Sequence, residues 1–241
     1  MNDRREAGLV SVVVTHYNNG NYLADCLDGI VRQTYADWEL ILVDDASTDD
    51  SRERLEKWLR EGGTEKIGER NLVVLRLPRN IGYAGACTTG MFLARGQYIA
   101  MQDSDDVSLP ERLERQVAFL DSHPQVDMLG TNYEVIDGQG SRMPVKASWL
   151  RYGDSIVEVY RKGGHCVCHG TVMLRGELFD RTGGHTRFLA GAEDYEFIAK
   201  RLNAKRRNVE NLPDLLYLYR RHLLQRSRSF YGSDRGGRDG S

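Results

Sequence analysis

Hydrophobic and polar positions follow two different periods along the first half of the chain. Short apolar runs, rich in β-branched residues, are typical of strands that are buried on both faces of a sheet. These runs cover residues 10–15, 38–43, 72–77 and 98–101. Between them, apolar residues recur every three or four positions, which predicts helices. The predicted helices contain Leu23 to Val31, Leu55 and Leu59, Tyr83 to Ala94, and Leu113 to Leu120 before Pro124. The alternation predicts an α/β fold with a parallel sheet and right-handed crossovers.

The second half of the chain breaks this alternation. Strands are predicted over residues 126–132, 171–174 and 215–219, and helices over 155–162 and 194–202. Asp137-Gly138-Gln139-Gly140 is typical of a hairpin turn. We expect a single domain over residues 1–228. Residues 229–241 contain few apolar side chains and are predicted to be a mobile tail.

The net charge and the cysteine content limit the classes of function and the cellular compartments that fit this sequence. The formal net charge of −2 over 241 residues gives no support for binding nucleic acid. The four cysteines lack the spacing of a disulfide framework, as expected in a reducing cytosol. No apolar stretch approaches the length of a membrane span, and the N-terminus lacks a signal-peptide core. We therefore expect a cytoplasmic protein, and leave open a peripheral contact with the inner face of the membrane.

Acidic clusters follow two of the predicted strands directly. Asp44-Asp45 ends the second strand, and Asp103-Ser104-Asp105-Asp106 ends the fourth. Ligands bind outside the carboxyl ends of the strands in open parallel sheets, so both clusters are expected at one site. Asp103 and Asp105 would point to the same side and hold a hard cation, Mn²⁺ or Mg²⁺. The alternative is turn chemistry: Ser47 and Asp50 could form a capping box, and Ser108 to Glu111 could begin a helix.

Several short blocks, in order and suitably spaced, resemble the family 2 glycosyltransferases of the GT-A fold over roughly residues 9–228. The blocks are Ser11–Asn18, Gln33-Thr34, Leu42–Asp49, Asn80–Gly82, Gly96–Ile99, Asp103–Asp106, Leu109–Leu113, Glu193–Tyr195 and Tyr219–His222. The resemblance implies a GT-A-like nucleotide-binding sandwich with a mostly parallel central sheet flanked by helices. Residues 9–132 would be the nucleotide-sugar-binding half, and residues 133–228 the acceptor-binding half with a C-terminal lid.

The resemblance also implies an activity and its residues. A sugar would move from a nucleotide diphosphate donor, UDP-linked in our prediction, to a hydroxyl of a glycan or lipid-linked acceptor, with inversion in one displacement. Nucleotide ligands would be Thr15, Tyr17, Asn18, Asp44, Asp45, Asn80 and Asp103. Metal ligands would be Asp103, Asp105 and His222, and the catalytic base would be Asp194. Candidates for contact with the acceptor or diphosphate are Glu193, His169, Arg220 and Arg221.

Several of these residues could instead have an ordinary structural role. Asp194 could be an ordinary acidic residue in a first helical turn, His169 a core histidine, and His222 a surface histidine. His165-Cys166-Val167-Cys168-His169 looks like a metal cluster, but its side chains alternate in extended backbone, which disfavours structural zinc.

One position departs from the family pattern. Many members carry an arginine where this chain has Cys87, and a thiol cannot supply that charge to a diphosphate. Arg79, Arg220 or Arg221 could replace it.

Two rival functions were weighed. A nucleotidyltransferase that makes nucleotide-sugars usually has a basic, Gly-rich phosphate loop, but the loop from Tyr17 to Asn21 has no Lys or Arg. A catalytically inactive nucleotide-sugar-binding module is disfavoured because Asp103, Asp105 and Asp194 are all retained. The sequence leaves the sugar, the acceptor and the oligomeric state open.

Overall fold

A nine-stranded mixed sheet with helices on both faces forms the part of the chain that the structure describes. This computed structural model describes residues 5–68, 71–187, 189, 191–203, 205 and 207–227. The strands are β1 (Glu6–His16), β2 (Trp38–Asp44), β3 (Leu72–Arg76), β4 (Gly96–Asp103), β5 (Val107–Ser108), β6 (Met128–Ile136), β7 (Arg142–Lys146), β8 (Met173–Arg175) and β9 (Val209–Arg220). The helices are α1 (Gly20–Val31), α2 (Ser51–Trp58), α3 (Thr64–Ile67), α4 (Tyr83–Leu93), α5 (Arg112–Ser122), α6 (Asp154–Arg161), α7 (Gly176–Thr182) and α8 (Glu193–Ala199).

The first half of the sheet is parallel, as its pattern predicted. The order is β3-β2-β1-β4, and every neighbouring pair in it runs parallel. In this register Thr15 lies beside Asp103, and His16 lies beside Asp44. The carboxyl ends of β2 and β4 therefore flank the end of β1. This confirms that the two acidic clusters lie at the same edge of the sheet.

The second half adds antiparallel pairings. The order continues β4-β8-β6-β9-β5, and β7 pairs with β6. Strand β8 runs antiparallel to both β4 and β6, whereas β6 and β9 run parallel. The short strands β5 and β7 and helix α7 were not predicted, because each has only two to seven residues and little periodicity.

Strand β1 shows how the sheet separates two cores. Val12 and Val14 pack with α1, α2 and α5 on one face, while Val13 packs with α4 on the other. Both faces of β1 are buried, which explains why its sequence is nearly continuous in β-branched residues. The rigid parallel half thus fixes the loops at its carboxyl edge from both sides.

Two local predictions need correction. Helix α2 begins at Ser51 with no side-chain cap, so Ser47 and Asp50 do not form the predicted capping box. Instead, Ser47 accepts the backbone N–H of Asn18 at 3.0 Å, and its own N–H donates to Asp44 at 2.9 Å. The predicted strand at 171–174 is a 3₁₀ turn over His169–Thr171 followed by β8.

The described residues can be compared with the predictions about membrane spans, cysteines and the C-terminal tail. None of the described helices is both long and apolar enough to cross a membrane. All four cysteines are free and buried. The predicted mobile tail, residues 229–241, and residue 228 lie outside the described residues, so the tail stays a prediction.

Candidate active site

The loop after β4 brings a carboxylate and an imidazole together. Asp105 Oδ2 lies 2.9 Å from His222 Nε2, although 117 positions separate the two residues. His222 follows β9, is buried, and packs its ring 4.5 Å from the ring of Tyr22. Its second nitrogen, Nδ1, is buried without a hydrogen-bond partner among the described residues. The structure thus places His222 against the acidic loop rather than on the surface.

Asp103 lies beside this pair at the end of β4. Its Oδ1 accepts a hydrogen bond from the Tyr83 hydroxyl at 3.1 Å. Burial, followed by the nearby Asp105 carboxylate, raises the pKa of Asp103 to about 6. A bound cation would relieve this unfavourable packing of negative charge. Two carboxylates and an imidazole are ligands that suit Mn²⁺. Asp105 and His222 already converge, but the ligand atoms of Asp103, Asp105 and His222 do not all lie within 4.8 Å of one another, so Asp103 would have to move toward the other two to share an ion.

Arg220 braces the acidic loop against the end of β9. Its backbone N–H donates to Asp106 at 2.6 Å, and its Nε donates to the carbonyl of Asp105 at 2.7 Å. Its Nη2 donates to Asp25 at 2.9 Å, and the guanidinium lies 4.8 Å from the Tyr22 ring centroid. Arg220 is buried by these contacts, whereas Arg221 is exposed. A contact of either arginine with a diphosphate stays a prediction.

Asp194 begins the second cluster, in the first turn of α8. Its side chain is 40% exposed, but Oδ1 is buried and has no hydrogen-bond partner among the described residues. Burial raises the pKa of Asp194 to about 7, while the charge of Arg226 opposes that rise. Arg226 also forms an ion pair with the buried Glu193. A carboxylate with a pKa near neutrality is suited to general-base chemistry.

A hydrogen-bonded chain connects the two clusters. The Tyr83 hydroxyl that donates to Asp103 lies 2.8 Å from His169 Nδ1. His169 Nε2 lies 2.9 Å from His185 Nε2, and His169 Nδ1 lies 3.9 Å from Asp194 Oδ1. His169 is therefore a buried residue between the acidic loop and α8. Tyr83 and His185 were missed by sequence reasoning, because neither belongs to a recognisable block.

The segment His165-Cys166-Val167-Cys168-His169, for which structural zinc was disfavoured, is largely buried in the structure. Cys166 and Cys168 are buried, and His165 Nδ1 lies 2.7 Å from the Tyr160 hydroxyl. No group of possible metal ligands among the described residues contains a cysteine.

The loops after β1 and β2 contain the candidate nucleotide ligands. Thr15 is buried at the end of β1, whereas Tyr17 is 46% exposed. Asn18 adopts a left-handed φ of 53°, and its Oδ1 accepts the N–H of Thr48 at 2.8 Å. Asn18 therefore fastens one loop to the other, while the ring of Tyr17 is accessible.

The adjacent carboxylates Asp44 and Asp45 have different surroundings. Asp45 accepts the backbone N–H groups of Ile81 and Gly82, at 2.7 and 2.9 Å. Asn80 donates to the Asp45 carbonyl at 3.1 Å, so Asp45 and Asn80 hold the start of α4 in place. Among the described residues, the Asp44 carboxylate accepts one backbone hydrogen bond, from the N–H of Ser47 at 2.9 Å. Asp44 is therefore the better placed of the two for a ligand.

Two residues concern the position at which many family members carry an arginine: Cys87, which occupies it, and Arg226, which could supply the charge from elsewhere. Cys87 is fully buried in α4, and its Sγ lies 4.0 Å from Thr15 Oγ1, so it fills a packing position. The Arg226 guanidinium lies 4.9 Å from the Tyr83 ring centroid, which brings a cation to the same helix from the C-terminal segment. The only sequence signal for it was a short basic stretch.

Solved structures resemble this fold. TarS of S. aureus in complex with UDP-GlcNAc matches with a TM-score of 0.71 and 23% identity, covering 91% of this chain and 60% of that chain. The mannosyltransferase PcManGT from Pyrobaculum calidifontis, in complex with GDP-Man and Mn²⁺, matches with a TM-score of 0.64 and 20% identity, covering 87% and 56%. At these identities the likeness establishes the fold, a GT-A-type α/β architecture.

Sequence comparisons are more specific. The putative glycosyltransferase EpsE of Bacillus subtilis is 36% identical over 178 residues, which are 73% of this chain and 59% of that protein. The putative teichuronic acid biosynthesis glycosyltransferase TuaG of the same organism is 38% identical over 112 residues, covering 46% and 42%. The chain thus spans less than two thirds of the length of these relatives. The family profile described as Glycosyl transferase family 2 matches residues 11–183, well over half of the chain. On this evidence, the chain belongs to glycosyltransferase family 2.

Proposed function

We propose that this chain is the catalytic domain of an inverting, metal-dependent glycosyltransferase. It would move a sugar from a nucleotide diphosphate donor to a hydroxyl of a glycan or lipid-linked acceptor. The observation that carries the proposal is the hydrogen-bonded chain from Asp103 through Tyr83 to His169, which lies 3.9 Å from Asp194. This supports the proposal because a short series of contacts brings the acidic loop close to a carboxylate of raised pKa.

The donor diphosphate would be held at the acidic loop. Asp103, Asp105 and His222 would hold Mn²⁺ or Mg²⁺, which neutralises the leaving diphosphate as its negative charge develops. Arg220 keeps these ligands in place by bonding both the carbonyl of Asp105 and the carboxylate of Asp25. The structural relative PcManGT was solved with GDP-Man and Mn²⁺, which supports this choice of metal.

The nucleotide would lie along the ends of β1 and β2. The exposed ring of Tyr17 can stack on the base, and Asp44 can accept a hydrogen bond from the base or ribose. Both UDP- and GDP-linked sugars occur in structural relatives, and UDP is our choice because TarS, with the higher TM-score of the two, was solved with UDP-GlcNAc.

Asp194 would act as the general base. Its partly exposed carboxylate can take the proton from the acceptor hydroxyl as that oxygen attacks the anomeric carbon. A single displacement of this kind inverts the anomeric centre and needs no covalent sugar–enzyme intermediate, by analogy with inverting glycosidases. Glu193 would keep Arg226 beside this carboxylate through their ion pair.

The acceptor would be a precursor of a surface polysaccharide. The support is that two relatives are described as glycosyltransferases of teichuronic acid and amylovoran biosynthesis. A lipid-linked acceptor, as the family resemblance implies, would place the enzyme in the cytoplasm at the inner face of the membrane.

The test is a nucleotide-sugar panel with the purified chain and Mn²⁺. We expect one donor to raise the unfolding temperature only when metal is present, because a ligand that binds the folded state stabilises it. Transfer should release a nucleoside diphosphate and give a product of inverted anomeric configuration by NMR. Release of pyrophosphate would instead identify a nucleotidyltransferase, and retained configuration would refute the single displacement.

A further inference from the structure

Two imidazoles, of His169 and His185, converge on the carboxylate of the proposed base, Asp194. We propose that His169, His185 and Asp194 form a second metal site, which binds Zn²⁺ and is separate from the donor metal at Asp105. One ligand atom from each of the three residues lies within 4.8 Å of the others, and this is the one such group found among the described residues. The cluster joins the 3₁₀ turn before β8, the segment after α7, and the first turn of α8.

The spacing of the two imidazoles already suits a shared ion. His169 Nε2 and His185 Nε2 are 2.9 Å apart. On a tetrahedral zinc ion, two nitrogens that each lie about 2.0–2.1 Å from the metal are about 3.3–3.4 Å apart, so the two rings would separate by about 0.4 Å as the ion replaces their hydrogen bond. Only a small movement of the rings would place an ion between them.

The state of the ligands favours metal binding. Burial lowers the pKa of His169 to about 4 and that of His185 well below its ordinary value, so both rings are neutral at pH 7. A neutral imidazole is the form that binds a metal. Asp194 Oδ1 is buried without a hydrogen-bond partner among the described residues. Asp194 Oδ1 is thus a buried oxygen with coordinating capacity to spare.

The outer contacts match those of known metal sites. A histidine that binds a metal usually donates its other ring N–H to an oxygen, which fixes its orientation. Here His169 Nδ1 lies 2.8 Å from the Tyr83 hydroxyl, which in turn donates to Asp103. The ring of His185 is held by stacking on Phe197, with centroids 4.0 Å apart.

The ligand set points to zinc rather than to the donor's metal. Mg²⁺ prefers oxygen ligands, whereas two imidazoles and one carboxylate are common on zinc and leave a fourth position open. Glu193 pairs with Arg226, which offsets the charge of that guanidinium beside the site. If Asp194 is the base of our proposed function, bound zinc would occupy it and inhibit transfer.

The experiment measures Zn²⁺ binding without any donor. Asp105→Ala is introduced first, to remove binding at the acidic loop, and zinc affinity is measured by competition with a chromophoric chelator. We expect this protein to bind one zinc ion. Adding His185→Gln or Asp194→Asn should lower that affinity by more than about 10-fold. Losing a residue that only contacts a metal ligand already lowers metal affinity by about that much.

Matched controls make the outcome decisive. His123 lies elsewhere, stacked on Phe119, so His123→Gln in the same background should leave zinc affinity unchanged. Asp194→Asn keeps the shape of a partly exposed side chain. It therefore replaces His185→Gln in the binding test if His185→Gln unfolds the protein. Unchanged zinc affinity in the folded Asp194→Asn protein, or no zinc bound to the Asp105→Ala protein, would overturn the site.

A separate measurement distinguishes a failure of the zinc site from a failure of the proposed function. Zinc is added to the wild-type chain with saturating Mn²⁺ and donor, and transfer is measured. We expect inhibition that His185→Gln relieves. If the binding results hold but zinc does not inhibit transfer, the zinc site stands and the assignment of Asp194 as base falls.

Discussion

Asp194 illustrates how one residue acquires its chemistry from its surroundings. An acidic residue in a first helical turn is ordinary, and the macrodipole stabilises its charge. Here burial outweighs that effect and raises the pKa of Asp194 to about 7. The carboxylate is therefore basic enough to accept a proton near neutral pH, yet its side chain is accessible enough to reach a substrate.

Asp194→Asn tests this role directly. The amide keeps the shape of the side chain but cannot accept the proton, so kcat should fall by about 10²–10⁴-fold, the usual range for general-base catalysis. Donor affinity should barely change, because in our proposal the donor metal is held by the loop after β4. Steady-state kinetics and donor titration check this, and near-normal turnover would reassign Asp194 to structure.

The pH dependence should respond to Arg226. Asp194 is active when ionised, so kcat should be lost as the pH falls through about 7. The positive charge of Arg226 lowers the pKa of Asp194, and Arg226→Gln should therefore shift this limb to higher pH. Arg226→Lys retains the charge and is the control, expected to keep the wild-type profile. Identical pH profiles for both variants would contradict the electrostatic coupling.

Gly170 matters for the space beside Asp103. A Cβ at this position would lie 2.5 Å from Asp103 Oδ2 and 2.8 Å from the Tyr217 hydroxyl, closer than real contacts allow. Gly170→Ala should therefore displace Asp103 and weaken Mn²⁺-dependent donor binding. Gly138→Ala is the control, since its Cβ would meet its nearest neighbour, the Tyr22 hydroxyl, at 3.5 Å. Calorimetric titration of donor with Mn²⁺ compares them, and equal affinities would contradict the argument.

At the scale of elements, β9 carries the chain back across the sheet to the acidic loop. It pairs in parallel with β6 over most of its length and with β5 through Tyr217 and Leu218. Its last residue, Arg220, bonds the loop that contains Asp105, and His222 follows at once. The position of His222, the predicted metal ligand, thus depends on how β9 ends.

Arg220→Met should destabilise the fold and loosen the metal ligands together. The change leaves the Asp105 carbonyl without its Nε donor and removes a 2% exposed side chain from its contacts, which costs about 1–3 kcal/mol of unfolding free energy. Asp25→Asn is the control, because Asp25 is 59% exposed and a solvated ion pair contributes at most about 1 kcal/mol. Urea unfolding and Mn²⁺ affinity measure both effects, and a fully stable Arg220→Met protein would refute the brace.

At the scale of the whole molecule, one sheet joins the two halves. Strand β8 lies between β4 of the first half and β6 of the second, and β9 lies beyond β6. The site is built where these halves meet, with the acidic loop from one and Asp194 from the other. Stability and activity should therefore depend on the C-terminal strand as much as on the N-terminal ones.

Truncation tests this dependence. A chain that ends at Pro213 loses most of the β6–β9 pairing and the whole segment from Arg220 to Arg226, so it should unfold at much lower temperature and bind no donor. A chain that ends at Ser229 should keep both properties, because the residues beyond it have no apolar periodicity. Thermal midpoint and donor affinity are the measurements. Loss of donor binding in the longer chain would make the tail part of the site.

The sequence by itself determined the parallel half of the fold and where its ligands would gather. Continuous β-branched runs, such as the one in β1, specify strands buried on both faces, and parallel strands must end at the same edge. Asp44 and Asp103 therefore could be assigned to one site from local pattern alone. The alternation of side chains in extended backbone paired Asp105 with Asp103, and motif resemblance added Asp194 and His222; the roles of these residues as ligands and base remain predictions.

Only the tertiary structure decided which side chains meet. Asp45 is engaged by Ile81 and Gly82, Tyr83 reaches His169 across 86 positions, and Asp105 reaches His222 across 117. No local period encodes such contacts, because they depend on β8 entering the sheet antiparallel and β9 returning to the acidic loop. The pKa of Asp194 is likewise a property of burial, which a helical turn in isolation does not provide.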